Sequence, residues 1–484
     1  MKKFNSQILS ISVLASNIFK IFIGLGFLLL LILSSCEKAL EIDNPKSKII
    51  NEVVFEDDIT ASAAVTGVYA SMLASGSFAS GSNNSITAIT ALSSDEFVNY
   101  PISNTTAIQF NQNKIQSNNI QIYQLWSSAF QIIYQTNSII EGIEKSDGMS
   151  ANAQQQLKGE ALFVRAFCNF NLVNLFGDIP LISTTDYSVN TRSPRTSKDV
   201  LYGEIIKDLL QAQQLMKDAY PTPERVRPNK SAATALLSRV YLYRNDWANA
   251  EIQSTSLINN PDYELEMDLN NVFLYSSREA IWQLRPILRT QNTFEGNAFI
   301  LRGIPGNSYL RKDFIDKFET GDARFTNWVR SITASSNVFY YPFKYKIRTG
   351  GPGSATPIPL TEYSMVFRLA EQYLIRSEAR AKLGKLNEAI ADIDVIRGRA
   401  NLPLIKNINP GISQALLLVA VEQERRSELF IEWGHRWFDL KRTGRLSVIL
   451  SPLKPDWQPS DVLYPIPSSE FIRNPNLGSQ NEGY

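Results

Sequence analysis

The sequence predicts a mostly α-helical fold, in which helix pairs stack into a scaffold beside a looped, irregular half that carries short strands. Three observations lead to this prediction. Apolar residues recur at spacings of three and four over long stretches, which is typical of amphipathic helices. Two segments of about 34 residues each contain two such helices. Two other stretches lose this period and are rich in Gly, Asn, Ser or Pro.

The amino terminus has the features of a secretory signal. Three lysines precede residue 21, and an apolar run over 21–33 leads into Leu-Ser-Ser-Cys, which ends at Cys36. As a helix rising ~1.5 Å per residue, that run would reach about 20 Å, which is short of the roughly 30 Å hydrocarbon core of a bilayer. We therefore predict a lipoprotein signal peptide over 1–35 and lipid attachment at Cys36. A signal peptide with a chance cysteine is the alternative.

Cysteine use and charge narrow the class of protein. If Cys36 carries lipid, Cys168 is the only thiol left, so no intrachain disulfide can form. Its helical segment predicts a small, buried core residue. Three of the 48 Lys and Arg residues lie in the signal, which leaves 45 against 47 Asp and Glu. Binding to a phosphate backbone needs clustered positive charge, so nucleic acid is not an expected partner.

The chain lacks the residues that common catalytic and metal sites require. It has one histidine, His435, whereas zinc sites and Ser-His or Cys-His devices draw on several such groups. His435 lies in a Trp- and Arg-rich helical segment, which indicates a structural role. Gly350-Gly351-Pro352-Gly353 has the wrong spacing for a phosphate loop. We therefore expect no catalytic residue, metal or cofactor, although a glycosidase built on two carboxylates stays open.

Helical periodicity covers most of the first half of the chain. The predicted helices run over 59–73, 120–143, 154–176 and 199–216. Gly177 and Pro180 end the third of them, because glycine tolerates a left-handed cap and proline cannot continue a helix.

Two later segments each contain two helices joined by a short turn. In 229–261 the turn is Asn245-Asp246, and in 368–400 it is Gly384-Lys385. Small alanines lie where the paired helices must approach each other. Both segments resemble a tetratricopeptide unit. Such pairs bury their apolar faces only when further pairs stack against them.

Residues 75–119 and 263–361 lack the helical period and predict loops, short strands and a few short helices. Loops on a rigid frame tolerate variety and carry function, so we expect recognition in these two stretches.

Four blocks, in order along the chain, resemble the SusD/RagB family of bacterial surface lipoproteins. They lie at 165–181, 368–400, 424–442 and 464–484, and they include Phe176-Gly177-Asp178-Ile179-Pro180, Arg376-Ser377-Glu378-Ala379, Glu432-Trp433-Gly434-His435-Arg436-Trp437-Phe438-Asp439 and Tyr464-Pro465-Ile466-Pro467. Together with the lipobox, the blocks span nearly the whole mature chain.

The resemblance implies a SusD-like fold with about four tetratricopeptide-like helix pairs and no catalysis. It also implies a nutrient-binding lipoprotein on the extracellular side of the outer membrane, which hands an oligosaccharide, or a peptide, to a SusC-like TonB-dependent transporter barrel. The expected organisation is a signal peptide (1–35), a tether (36–57), a helical-repeat region (58–262) and a C-terminal region (263–484). The last comprises a loop-rich part (263–361), a helical part (362–450) and an extension (451–484).

Residues suited to sugar recognition lie in the two irregular stretches. A protein that binds sugars needs exposed aromatic rings beside amide, carboxylate or guanidinium groups. The predicted ligand contacts are Asp95, Asn99, Tyr100, Tyr309, Arg311, Trp328 and Tyr341. Tyr100 and Trp328 are expected to form a stacking surface. The alternative for each aromatic residue is a place in the core.

Two other function classes remain open at this point. One is a lipid-anchored hydrolase that acts on glycans, and the other is a helical-repeat scaffold that binds proteins. The arginines and Asp439 of the 424–442 block could suggest an anion site, but helical spacing favours structural ion pairs.

Overall fold

The computed structural model describes residues 54–288, 290–348 and 357–484, and helices are its main secondary structure. The predicted signal peptide, Cys36 and the glycine-rich segment 350–353 lie outside the described residues. The α-helices are α1 Asp58–Met72, α2 Ile86–Ser93, α3 Thr105–Gln112, α4 Ile120–Glu144, α5 Ala151–Phe176, α6 Tyr187–Asn190, α7 Lys198–Leu215, α8 Lys230–Tyr243, α9 Trp247–Ile258, α10 Phe294–Phe299, α11 Lys312–Ile315, α12 Ala323–Trp328, α13 Leu369–Lys382, α14 Leu386–Arg399, α15 Ile405–Ile408, α16 Gln414–Glu428, α17 His435–Arg442, α18 Leu446–Leu450 and α19 Ser468–Arg473.

Short strands form three small antiparallel sheets in the described part of the chain. The strands are β1 Phe97–Asn99, β2 Ile179–Pro180, β3 Arg195–Thr196, β4 Ala280–Leu284, β5 Ser308–Leu310, β6 Val329–Ala334, β7 Asn337–Pro342 and β8 Ser364–Arg368. One sheet has the order β1-β5-β7-β6, and β2 pairs with β3 and β4 with β8. Five of these eight strands, β1 and β4 to β7, come from the two stretches in which the sequence predicts loops and short strands.

The long helices pack in chain order into one row, which we call the helical stack. Its members are α1, α4, α5, α7, α8, α9, α13, α14 and α16. The predicted pairs are confirmed as α8 with α9 and α13 with α14, and Ala232 and Ala235 are fully buried on α8. Because alanine has no bulky side chain, the helices can approach closely there. The fold is therefore the mostly helical, tetratricopeptide-like one that the sequence predicts.

Helix ends follow the residues that the sequence supplies. The Asp57 carboxylate accepts hydrogen bonds from the backbone N–H groups of Ile59 (2.7 Å) and Thr60 (2.9 Å) and so caps α1. Gly177 after α5 has φ of 75°, and Gly384 between α13 and α14 has φ of 79°. These left-handed conformations are accessible to glycine at little cost, so both helices stop where predicted.

Aromatic side chains join the stack to the rest of the molecule. The Phe167 ring on α5 lies 5.7 Å from Trp282 on β4 and 5.4 Å from Trp433. Edge-on ring contacts of this kind add to the stabilisation that burial provides. Cys168 and His435 are buried, as predicted, and no described helix combines the length and apolar character needed to cross a bilayer.

The region 75–119 contains two short helices, α2 and α3, and the short strand β1. This agrees with the prediction of short strands and a few short helices, although the sequence did not indicate where they lie. All eight residues of α2 are buried. A helix that is buried on every side has no polar face, so its sequence shows no amphipathic period.

The polar residues of the 424–442 block form buried ion pairs, as predicted. Asp439 accepts from Arg425 (2.7 Å) and Arg442 (2.8 Å). Arg436 instead pairs with Asp95, far away in sequence. The helical-spacing argument therefore identifies the pairing of Asp439 with Arg442 but not the partner of Arg436.

Candidate functional site

The four-stranded sheet brings both irregular stretches together. Phe97 of β1 lies opposite Leu310 of β5, and Leu310 lies opposite Tyr340 of β7. Residues that face each other across antiparallel strands project from the same side of the sheet, and their neighbours project from the other. Phe97 and Leu310 are buried, so this side faces the core.

The opposite side of the sheet carries a cluster of rings. The Tyr100 ring lies 6.2 Å from Tyr309 and 5.2 Å from Phe339, and Tyr309 and Phe339 are 5.2 Å apart. Tyr341 is two residues from Phe339 on β7 and therefore projects from the same side. We call Tyr100, Tyr309, Phe339 and Tyr341 the aromatic patch.

The rings of the aromatic patch differ in exposure. Phe339 is buried, whereas Tyr309 and Tyr341 are partly exposed and Tyr100 is 38% exposed. The Tyr100 backbone N–H donates to the Asn307 carbonyl oxygen (2.8 Å), which continues the pairing of β1 with β5. Phe339 thus supports a tyrosine surface that is fixed by the sheet and open to solvent. Such a surface can receive the apolar face of a ligand while its hydroxyl groups donate or accept hydrogen bonds.

Two arginines border the aromatic patch. Arg311 follows β5, donates its backbone N–H to the Glu96 carbonyl oxygen (2.9 Å) and pairs with Asp313 at 3.1 Å. Arg330 on β6 lies directly opposite Tyr341 and is exposed. The Arg330 guanidinium donates to the Thr326 carbonyl oxygen. A guanidinium presents several donors in a fixed plane, so the remaining donors of both arginines can hydrogen-bond a polar ligand that lies on the tyrosines.

The structure brings four of the predicted contacts together, namely Tyr100, Tyr309, Tyr341 and Arg311. Asn99 belongs to β1 but lies opposite Ser308, on the side of the sheet away from Tyr309. Its side-chain amide donates to the Pro101 carbonyl oxygen at 2.8 Å. The amide therefore stabilises the turn after β1 instead of extending the aromatic patch.

Trp328 does not belong to a stacking surface, which corrects the prediction. Its side chain is fully buried, and its indole N–H donates to the Leu269 carbonyl oxygen at 2.8 Å. The Lys344 ammonium lies 4.8 Å from the ring centre. A ring enclosed in this way has no face left for a ligand.

Asp95 is likewise a structural residue and not a free ligand contact. Its carboxylate accepts two hydrogen bonds from the Arg436 guanidinium, at 2.7 and 2.9 Å, and it is almost fully buried. Burial opposes its charge, but the Arg436 guanidinium holds the pKa of Asp95 below its usual range. The pair fastens the start of β1 to α17.

Phe339 and Arg330 were missed by the sequence prediction. Both lie in the hairpin of β6 and β7, where Ser335 and Ser336 at the turn have positive φ. Alternation of exposed and buried residues on β7 would have been the signal, but Phe339 sits in the run Val338-Phe339-Tyr340-Tyr341, where every residue is apolar or aromatic. Which side faces the core cannot be decided from such a run.

The described residues offer no cluster of three or more His, Cys, Asp or Glu side chains that could hold a metal ion. The aromatic patch has instead the make-up of a binding surface, with aromatic faces, hydroxyl groups and guanidinium donors.

Comparison with known proteins identifies the family. One family model, described as "Starch-binding associating with outer membrane", matches residues 41–242, and a second, described as "SusD family", matches residues 326–484. A SusD-like protein P2 from Formosa agariphila is 28% identical over 94% of this chain and 98% of its own length.

Solved structures agree with this assignment. A SusD superfamily protein from Bacteroides vulgatus superposes with a TM-score of 0.77 at 22% identity and covers 88% of this chain and 99% of its own. A laminarin-binding SusD-like protein superposes with a TM-score of 0.73 at 22% identity and the same coverage. At such identities these likenesses establish the fold, and the family models match three quarters of the sequence. The chain belongs to the SusD/RagB family.

Proposed function

We propose that this protein is a surface lipoprotein that binds an oligosaccharide on its aromatic patch and delivers it to a SusC-like TonB-dependent transporter of the outer membrane. The observation that carries the proposal is the set of partly exposed tyrosines, Tyr100, Tyr309 and Tyr341, held on one side of a sheet beside Arg311 and Arg330.

The chemistry of the aromatic patch suits a sugar. The C–H faces of a pyranose ring are weakly apolar and can lie on a tyrosine ring, while its hydroxyl groups reach the two guanidinium groups. The sheet fixes the rings before a ligand arrives, which lowers the entropy cost of binding. A structural neighbour carries the description laminarin-binding and a matching family model carries the description starch-binding; these descriptions support a glucan as the first ligand to test.

Binding without cleavage is the second part of the proposal. Glycosidases place two carboxyl groups on either side of the scissile bond, and the four residues of the aromatic patch carry none. The neighbouring acids are engaged elsewhere, since Asp95 is buried against Arg436 and Asp313 pairs with Arg311. Incubation of the protein with laminarin and starch should therefore leave both polymers intact, as measured by reducing-end assay.

The remaining part of the proposal concerns the lipid anchor and the partner transporter in the outer membrane. The apolar run before Cys36 and the lipobox support acylation at that residue, and the family supports an outer-membrane partner. Mass spectrometry of the mature amino terminus tests the anchor. Recovery of a large barrel protein with this chain from detergent-solubilised outer membranes tests the partnership, and purification without any such barrel would contradict it.

The binding test compares three variants of the full chain by isothermal titration calorimetry with laminarin and starch oligosaccharides. Tyr309→Ala and Tyr341→Ala should each weaken binding by roughly 1–3 kcal/mol, by loose analogy with base stacking on aromatic rings. Tyr275→Ala is the matched control, because Tyr275 is 40% exposed and lies outside the aromatic patch. Equal affinity of all three variants and the wild type would exclude the aromatic patch as the site.

A further inference from the structure

A concave surface is formed by residues that lie outside the four-stranded sheet. It is a cleft of about 540 Å³ with three walls: α4, residues 180–191 and residues 470–477. None of its lining residues belongs to the aromatic patch. Small-molecule sites in proteins typically have volumes of ~300–1,000 Å³, so this cleft, which we call the α4 cleft, is large enough to hold a ligand.

Aromatic side chains form the floor and sides of the α4 cleft. Trp126, Phe130 and Tyr134 are spaced by four residues and therefore line one face of α4. The rings of Trp126 and Phe130 are 4.8 Å apart and make the floor. Tyr134 is 50% exposed and Tyr187, on the second wall, is 79% exposed. Together with the buried tryptophan, these exposed tyrosines form a large apolar surface, and such surfaces often mark binding sites.

The second wall is fastened to α4 by hydrogen bonds. The Asn137 amide donates to the Ile182 carbonyl oxygen at 3.1 Å. Glu141 accepts from the Thr184 hydroxyl (2.9 Å) and from the Thr185 backbone N–H (2.8 Å). The segment that carries Tyr187 is thus anchored at three residues between 182 and 185.

The third wall is fastened to the second. The Asn474 amide donates to the Ser193 carbonyl oxygen (2.7 Å), and the Asn476 amide donates to the Arg192 carbonyl oxygen (2.9 Å). The α4 cleft is therefore built from three fixed segments that are far apart in sequence. A pre-formed cleft binds with less ordering cost than a loop that must close.

The charges on the α4 cleft cancel. Its lining contains one acid and one base, Glu470 and Arg473, which pair with each other at 2.7 Å. Arg473 also donates to the Tyr123 hydroxyl at 3.2 Å through the same nitrogen, and its side chain is 58% exposed. The pair can offer hydrogen-bond donors and acceptors at the rim without favouring an ion, so the ligand should be neutral.

We infer that the α4 cleft is a second carbohydrate site that takes a short neutral saccharide, stacked on Tyr187 and Tyr134 and hydrogen-bonded to Glu470 and Arg473. A pyranose combines an apolar face with many hydroxyl groups and carries no charge, which matches the rings and the neutral polar rim. The choice of a saccharide rests on the proposed function, whereas the cleft and its neutrality do not.

The test separates the two sites by mutation. The background is the full chain with Tyr309→Ala and Tyr341→Ala, which disables the aromatic patch. Saturation-transfer NMR is recorded with four neutral disaccharides, namely maltose, laminaribiose, lactose and mannobiose. At least one should bind this background, and adding Tyr187→Ala together with Tyr134→Ala should weaken its binding at least tenfold.

Two controls make each outcome decisive. Tyr275→Ala in the same background should leave the signals unchanged. The inference is overturned if none of the four disaccharides binds the patch-disabled chain, or if binding survives loss of Tyr187 and Tyr134. The proposed function fails by a different result, namely unchanged oligosaccharide affinity of Tyr309→Ala and Tyr341→Ala in the wild-type background. Melting curves of all variants check that they fold.

Discussion

The helical stack and the looped half, which comprises the irregular stretches 75–119 and 263–361, are each stabilised by a different mixture of contacts. In the stack, helices such as α8 bury apolar residues on nearly every turn, and burial of apolar area is the main stabilising contribution. In the looped half, short strands and loops combine buried aromatic residues such as Phe273 and Trp328 with a group of buried charges. This difference shows that a regular helical stack can hold an irregular region in place when buried ion pairs connect the two.

A set of buried charged side chains, which we call the ion network, connects the helical stack to the looped half. Arg368, at the end of β8, contacts Glu279 (2.9 Å), Glu428 (2.6 Å) and Glu432 (2.9 Å). The other members are Asp322, Arg324, Lys344, Arg399 and Glu424. Every member is almost fully buried. The network therefore joins α12, β8, α14 and α16 with the loops that precede β4 and follow β7.

Arg368→Met should have the largest effect on stability. It leaves Glu279, Glu428 and Glu432 buried without their shared partner, and loss of one member of a buried ion pair costs roughly 3–5 kcal/mol. Urea unfolding followed by circular dichroism measures the loss. Arg278→Met is the control, because the ion pair of Arg278 with Glu264 is exposed and such pairs contribute about 1 kcal/mol or less. Similar small losses for both variants would show that the network does not fasten the looped half.

Leu236→Ala tests whether the stability of the helical stack depends on the burial of apolar side chains. Leu236 is fully buried on α8, and removal of a buried leucine side chain leaves a cavity that costs about 3 kcal/mol. Leu383→Ala, at a position 40% exposed, should cost less than about 1 kcal/mol. Equal losses from the two leucines in urea unfolding would mean that the stack does not depend on apolar burial.

Glu96→Gln should make the looped half more stable at neutral and alkaline pH. Burial and the nearby charge of Asp95 raise the pKa of Glu96 from 4.5 to about 7. The folded chain therefore holds this proton where the unfolded chain has lost it, and stability falls as pH rises between these two values. Glutamine carries no charge and can still accept from the Ile431 backbone N–H.

The expected gain is roughly 1–3 kcal/mol at pH 8 and disappears near pH 4.5. Unfolding of wild type and variant across this range measures it. Glu295→Gln offers an independent repeat, since burial also raises the pKa of Glu295 to about 7. A variant whose stability follows that of the wild type at every pH would contradict the raised pKa of Glu96.

Asp246→Ala should have the smallest effect on stability, because it removes one helix cap within the helical stack. The Asp246 carboxylate caps α9 by accepting the Asn249 backbone N–H at 3.2 Å. Loss of such a cap costs about 1 kcal/mol. Asp246→Asn keeps the acceptor and should cost only a few tenths of a kcal/mol. Equal thermal stability of both variants would show that the cap does not contribute.

Local sequence determined the helices of the stack. The apolar spacing in 120–144 and 151–176 and the capping residues around 229–261 and 368–400 depend on residues a few positions apart, and helical hydrogen bonds have the same short range. The family blocks could be identified in the same way, from short runs of sequence. By contrast, the position of α2 within 75–119 could not be predicted, because this helix is buried on all sides and shows no period.

Tertiary structure alone decided which residues form the aromatic patch and the α4 cleft. Tyr100 and Tyr309 meet because β1 pairs with β5, more than two hundred residues later in the chain, and no local pattern specifies that register. Tertiary packing also decides which aromatic residues face solvent, since Tyr341 is partly exposed whereas Trp328 is enclosed. The α4 cleft likewise needs three distant segments. Sequence determines what each segment prefers, but burial of a side chain depends on which segments pack against it.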